Sequence, residues 1–132
     1  MLEGGCRCGA IRYRISGEAE HHVLCHCRDC QMASGAPMIA WLAMPAQQVD
    51  VIQGEPVSYT APGGSTRRFC GTCGTPLFFV NEDALPGLID IQAVTLDDAD
   101  AVSPQAQIQV AERRVWMADL STMPQFERFP GE

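Results

Sequence analysis

Short apolar runs with a two-residue alternation dominate the chain. AIRYRIS (10–16), PMIAWLAM (37–44), QVDVIQG (48–54), PVSYT (56–60), TPLFFV (75–80), GLIDIQAVTL (87–96) and QIQVAERRVW (107–116) are rich in β-branched, aromatic or alternating apolar residues. Turn chemistry such as APGGS, NED and LPG separates them, a spacing that predicts antiparallel β structure. Helical signal is thin. A turn or two is expected over RDCQMAS (28–34), ended by Gly35 and Pro37, and another over LDDADA (96–101), where acidic residues suit a helix start. Trp41, Trp116, Phe69, Phe78 and Phe79 fall in strand-like runs and are expected in the core. No internal repeat, low-complexity tract or linker divides the chain, so one mainly β domain over residues 1–132 is expected.

Composition changes the picture in one respect. With 132 residues, 46% of them hydrophobic and 19% charged, the chain has the make-up of an ordinary globular protein with a real core. Its net charge is −7, and all nine basic residues are arginine. No basic stripe suits a nucleic-acid backbone. No apolar run reaches membrane-spanning length, and the opening MLEGGCRCGAIRYRIS lacks a signal-peptide core. The expectation is a soluble, cytoplasmic protein without nucleic-acid or membrane partners. In that compartment thiols stay reduced, so clustered cysteines point to metal before disulfide. Seven cysteines is also an odd number for a closed disulfide framework.

Spacing sorts the seven. Cys6-Arg7-Cys8-Gly9 and Cys70-Gly71-Thr72-Cys73-Gly74 are two thiol pairs, each with glycine close behind. Glycine lets the backbone turn sharply and present amide N–H groups to a thiolate. Residues two apart in an extended segment point the same way, so Cys6 and Cys8 can face one ion. Brought together, the two pairs make a closed four-cysteine zinc site of the structural kind. The plain alternative is four reduced cysteines of the interior.

CHCRDC (25–30) holds the remaining three, Cys25, Cys27 and Cys30. His26 lies between two of them, but in an extended C-x-C it points away from its neighbours and reads as a surface or core-edge histidine. His21 or His22 could add a ligand if the chain folds back. The more economical reading is a zinc with three protein ligands and a vacant fourth position, the arrangement of a catalytic site. Three thiolates and Zn²⁺ carry one net negative charge, and a thiol arriving as fourth ligand is readily deprotonated. If Cys30 starts a short helix, the helix N-terminus stabilises the Cys30 thiolate as well.

CRCGAIRY, CHCRDCQMASGAP and RRFCGTCGTPLFF closely resemble the motifs of the glutathione-dependent formaldehyde-activating family, which includes centromere protein V. The resemblance runs from Gly5 to Trp116, and the C-x-C, C-x-C-x2-C, C-x2-C order is a specific signature. It implies a compact, mainly β fold of the β-tent (Mss-like) type and two zinc ions per chain. It matches Cys6, Cys8, Cys70 and Cys73 to structural zinc ligands, and Cys25, Cys27 and Cys30 to catalytic ones. It also implies a carbon–sulfur lyase chemistry: glutathione, held as thiolate, adds to formaldehyde to give S-hydroxymethylglutathione. The chain departs from the family in two places. Gln107 stands where the family often has a histidine before the late tryptophan, and the chain is short beside members tied to formaldehyde chemistry. Arg28 is the cation nearest in sequence and a candidate for a substrate carboxylate, with a solvated surface arginine as the alternative. Asp29 reads as solvent-exposed, with a hydrogen-bonding role behind the metal ligands as the alternative.

Two rivals differ in class. A zinc-bearing thiol oxidoreductase of the methionine sulfoxide reductase type needs a nucleophilic cysteine outside the metal set, and every cysteine here belongs to a metal motif. A non-enzymatic zinc-stabilised binding or assembly module would instead have its second zinc closed by a histidine or a partner. The thiol, the electrophile and the oligomeric state are not specified by the sequence.

Overall fold

The computed structural model describes residues 1–131. Ten strands form: β1 (Leu2–Gly5), β2 (Arg12–Ile15), β3 (His21–Cys25), β4 (Ile39–Pro45), β5 (Val49–Gln53), β6 (Val57–Thr60), β7 (Thr66–Phe69), β8 (Pro76–Val80), β9 (Leu88–Gln92) and β10 (Ala106–Ile108). One α-helix, α1 (Arg28–Ser34), follows β3 directly. The strands make a three-stranded sheet, β1-β2-β5, and a seven-stranded sheet, β10-β3-β4-β9-β8-β7-β6. The protein is mainly β, as its alternation predicts.

β4 is the central divider. Its side chains alternate, and both sets are buried, which is why IAWLAM reads as a nearly continuous apolar run. Leu42 and Met44 join Ile89 and Ile91 of β9 and Phe78 of β8 in one core, against Tyr13 and Ile15 of the smaller sheet. Tyr13 is fully buried and meets Phe78 edge-on at 5.3 Å. Ile39 and Trp41 belong to a second buried group with Val23, Cys25 and Cys30. The large sheet therefore carries hydrophobic packing on one face and the cysteine-bearing helix on the other.

α1 begins where Cys27 acts as cap. Its backbone is extended (φ −63°, ψ 145°) and its sulfur accepts a hydrogen bond from the Cys30 amide. Gly35, left-handed at φ 72°, ends the helix and donates its N–H to the Gln31 carbonyl.

The structure corrects several sequence expectations. The 96–101 segment forms turns rather than helix, because Asp98 uses its carboxylate and carbonyl on the amides of Asp100 and Ala101. The late strand stops at Ile108, since Gln109 is left-handed at φ 55° and Val110–Glu112 winds into a 3₁₀ turn. That strand also pairs parallel with β3, unlike the others. Trp116 lies beyond it and is exposed rather than in the core, whereas Trp41 and Phe78 are buried. Strands β1, β3 and β7 had no alternating apolar signal.

Gly4 marks the tightest contact between the small sheet and its surroundings. A Cβ there would stand 2.5 Å from both the Thr95 carbonyl oxygen and the Tyr13 hydroxyl, which itself bonds Thr95 Oγ1 at 2.7 Å. Gly4→Ala is therefore expected to cost about 1–3 kcal/mol through overpacking. Urea unfolding checks this as a lower midpoint at unchanged slope.

Candidate metal centre and thiol pocket

Two groups of cysteine sulfurs form, each with all ligand atoms within 4.8 Å of one another. The first joins Cys6 and Cys8, just after β1, to Cys70 and Cys73, in the turn between β7 and β8. Sulfurs of Cys6 and Cys8 lie 3.6 Å apart, and those of Cys8 and Cys70 lie 3.8 Å apart. A tetrahedral zinc with ~2.3 Å bonds requires sulfurs about 3.8 Å apart. Amides converge on these sulfurs: Ile11 N–H on Cys6 at 3.2 Å, and Thr72 and Cys73 N–H on Cys70 at 3.4 Å. Cys6 and Cys70 are buried in the main core, while Cys8 and Cys73 face outward. Four sulfurs in this geometry could hold one metal ion.

The second group is Cys25, Cys27 and Cys30. Cys25 ends β3, Cys27 caps α1 and Cys30 sits in its first turn. Cys30 Sγ lies 3.9 Å from Cys25 Sγ and 2.8 Å from Cys27 Sγ, the second distance being shorter than a tetrahedral edge. Hydrogen bonding from Cys25 pulls the Cys30 thiol down to about 5, with help from Cys27, Trp41 and Arg67 and against its burial. A thiolate is thus favoured at one corner, which is the form a metal takes up. These three sulfurs could hold a second ion.

No histidine belongs to this ligand group among the described residues. His26 is buried, its side chain turned toward β10, where Nε2 meets Gln107 Oε1 at 2.8 Å. It is more deeply enclosed than a core-edge position, because β10 pairs alongside β3 and covers it. His22 is buried as well, on the face of β3 opposite Val23, and burial lowers its pKa. His21 lines the cavity described next without joining the sulfurs.

That cavity, about 230 Å³, is bounded by Cys25, Cys27 and Cys30, by Val23, Trp41 and Phe79, and by His21 and Asp90. Ile108 and Gln109 at the end of β10 form its rim. It is smaller than the ~300–1,000 Å³ of pockets that enclose drug-sized ligands, so it suits the reacting end of a substrate. Trp41 also borders a larger groove of about 710 Å³ that carries Tyr59, Arg67 and Arg68.

The cation beside the sulfurs is Arg67. Its guanidinium stands 3.8 Å from Cys30 Sγ, bonds Asp29 at 2.7 Å, and lies 4.9 Å over the Phe79 ring. Arg28, adjacent in sequence, points outward on the exposed side of α1, with its guanidinium 3.3 Å from Gln31 Oε1 and its amide donating to Glu112. Asp29 is largely exposed but is tied down by Arg67.

Asp90 carries no sequence signal of a site, sitting in the alternating run LIDIQ. Strand pairing places it in a row across the sheet: His21 opposite Ala43, Ala43 opposite Asp90, Asp90 opposite Phe79, and Phe79 opposite Arg67. The residue is 6% exposed, and Oδ1 has no hydrogen-bond partner. Burial pushes its pKa up to about 6, opposed by His21 and reinforced by Cys30.

Ten strands in two sheets, with two thiol clusters on different faces, define a cysteine-rich β-protein with candidate metal centres. The sequence profile of the glutathione-dependent formaldehyde-activating enzyme family matches residues 1–112, and the chain belongs to that family. A Halomonas elongata protein named "Putative glutathione-dependent formaldehyde-activating enzyme" is 25% identical over 99% of this chain and 88% of its own. A Schizosaccharomyces pombe protein named as an uncharacterized lyase is 33% identical over 58% of this chain, a match that spans 56% of that protein. A Rhodobacter sphaeroides protein of known crystal structure superposes with a TM-score of 0.64 at 19% identity, covering 80% of this chain and 98% of its own. That likeness shows a shared fold. Among the described residues no helix is long and apolar enough to cross a membrane.

The buried carboxyl generates a pH-dependent stability. In the unfolded chain Asp90 releases its proton near its ordinary value of 3.8, whereas in the folded protein it holds the proton to about 6. Between those values the folded state binds more protons, so this group's contribution to stability falls as pH rises. Asp90→Asn is expected to leave stability nearly unchanged below pH ~4 and to raise it above pH ~6, by at most roughly 3 kcal/mol. Thermal unfolding of both proteins across this pH range measures the difference.

Proposed function

We propose that this protein is a carbon–sulfur lyase-type enzyme that takes a small thiol, glutathione first among candidates, as a thiolate at the Cys25/Cys27/Cys30 site. It adds the thiol to formaldehyde or a similar small electrophile. The observation that carries this reading is a three-sulfur ligand group that opens on a cavity and to which, among the described residues, no fourth ligand atom belongs. The names of the family and of the Halomonas relative point to the same substrates, and that of the Schizosaccharomyces relative to a lyase. Seven free thiols suit a reducing, cytoplasmic location.

Both sulfur groups fit zinc in donor type, and three of the four short S···S distances match its tetrahedral edge. Cys6, Cys8, Cys70 and Cys73 would hold a structural ion, and Cys25, Cys27 and Cys30 a catalytic one. Bound at the latter, zinc would supply a positive charge that lowers the pKa of an incoming thiol. The chain's own residues do the remainder. Val23, Trp41 and Phe79 wall the cavity with apolar surface, which limits water around the nucleophile. Arg67 balances charge at Cys30, held in place by Asp29 and the Phe79 ring. A tripeptide does not fit within about 230 Å³, so its body would lie in the adjoining groove, where Arg67 and Arg68 can meet carboxylates.

Division of labour gives one test. Cys70→Ser should remove a structural ion and cost roughly 4 kcal/mol or more, read as a collapse of the thermal transition. Cys27→Ser should stay folded and lose one of two zinc ions, measured by elemental analysis. Equal unfolding by both variants would count against separate roles.

Thiol capture gives another. Replacing zinc with Co²⁺ makes thiolate-to-metal absorption visible, and glutathione should change it in wild type but not in Cys27→Ser. Formaldehyde should then consume the thiol faster than the uncatalysed background. An unchanged spectrum at millimolar thiol would mean a closed site and favour the binding-module reading, while a shift without turnover would retain thiol binding and withdraw the formaldehyde reaction.

A further inference from the structure

Asp90 has the features of a reacting group rather than a structural one. A carboxylate buried to 6% exposure in a central strand is ordinarily satisfied by hydrogen bonds or an ion pair. Here Oδ1 is shielded from solvent and has no hydrogen-bond partner, and no ion pair among the described residues includes Asp90. Its row neighbours explain why space remains. Ala43 on one side is too small to cover it, and Phe79 on the other offers only a ring. The side left open is the cavity shared with Cys25, Cys27 and Cys30. The other groups that face it are His21 from β3 and Cys30 from α1, with Arg67 of β7 beyond the Phe79 ring.

We propose that Asp90 is the proton-carrying catalytic residue of this site, accepting the proton that an incoming thiol loses and returning it to the carbonyl oxygen. The proposal rests on the thiol-adding function above and names the acid–base group that function lacks. The balance closes without a co-reactant. The thiol S–H bond breaks and its proton passes to the Asp90 carboxylate. The sulfur lone pair forms the S–C bond, and the C=O π pair moves to oxygen. That oxygen takes the proton from Asp90, giving a hydroxymethyl thioether and regenerating the carboxylate. In the lyase direction the same proton travels back. A negatively charged sulfur group nearby and burial both favour the protonated carboxyl between the two transfers. Gln107 meets His26 Nε2 at 2.8 Å and does not line this cavity.

The test uses the full-length cobalt-loaded protein with glutathione and formaldehyde, comparing wild type with Asp90→Asn and Asp90→Glu. Asp90→Asn should keep the thiol-induced spectral shift, lose about 10²–10⁴-fold in turnover with the loss in kcat rather than KM, and be partly rescued by Asp90→Glu. Calorimetry in buffers of different ionisation enthalpy should count more protons released on thiol binding by Asp90→Asn than by wild type, because wild type keeps the proton. Infrared difference spectra of wild type alone should show a carboxylic-acid C=O band appearing when glutathione binds, a measurement that stands even if Asp90→Asn folds poorly. A spectral shift in both proteins with equal turnover, equal proton release and no such band overturns the role of Asp90 while sparing the thiol site. No spectral shift in wild type overturns the thiol site and the role of Asp90 with it.

Discussion

Strand β4 has to satisfy two interiors at once, and the rest of the molecule is arranged around that requirement. Leu42 and Met44 fill the core against the small sheet, while Ile39, Trp41 and Ala43 back the cysteine-bearing face. A slip of one residue would exchange these sets, pressing Leu42 and Met44 against the thiols and pushing the Trp41 indole into the main core. Five residue pairs to β3 and five to β9 hold the register. Because Ala43 then falls between His21 and Asp90, the same register decides which side chains border the cavity. Packing and chemistry are thus fixed by one strand alignment.

The two thiol clusters differ through their surroundings rather than their ligand chemistry. Cys8 and Cys70 lie 62 residues apart in sequence, and their approach ties the segment after β1 to the turn between β7 and β8. Closing so long a loop is entropically costly once and worth retaining, which suits a fully ligated ion. Cys25, Cys27 and Cys30 span only six residues, so an ion there constrains little chain and contributes correspondingly little to folding. Their β3–α1 junction instead leaves one side of the sulfurs facing a cavity. On the proposed division of roles, stability carried by the first cluster would leave the second free to keep an open side.

Much of this was legible in the sequence. The strands with alternating apolar residues and the short helix over 28–34 formed as the pattern indicates, and the cysteines grouped in space as their spacing sorted them. What escaped has identifiable causes. HHVLC and TRRF are strands whose polar residues face covered or partly covered surfaces, so neither shows clean alternation. The late strand looked longer than it is because nothing in QIQV announces a left-handed Gln109. Arg67 was hidden by sequence distance: it reaches Cys30 only because β7, β8, β9, β4 and β3 align, whereas Arg28 is carried outward by the helix it begins. Asp90 and Gln92 alternate with Ile89 and Ile91, which normally marks a solvent-facing side, yet both are buried because that face is covered as well.

Charge distribution within the pocket follows from the same arrangement. A divalent ion with three thiolates leaves one negative charge, and a fourth thiolate would leave two. Arg67 lies beside Cys30 and would offset part of that charge, but its bond to Asp29 already engages some of its donors. An ionised Asp90 would add another negative charge in a poorly solvated space, so arrival of a thiolate and protonation of Asp90 favour each other. The coupling has a direction useful for catalysis. The proton is held most firmly while the sulfur is charged, and it becomes easier to release once S–C bond formation moves that charge onto the carbonyl oxygen. In the proposed role, a carboxyl that is costly to bury becomes an acid whose strength follows the progress of the reaction.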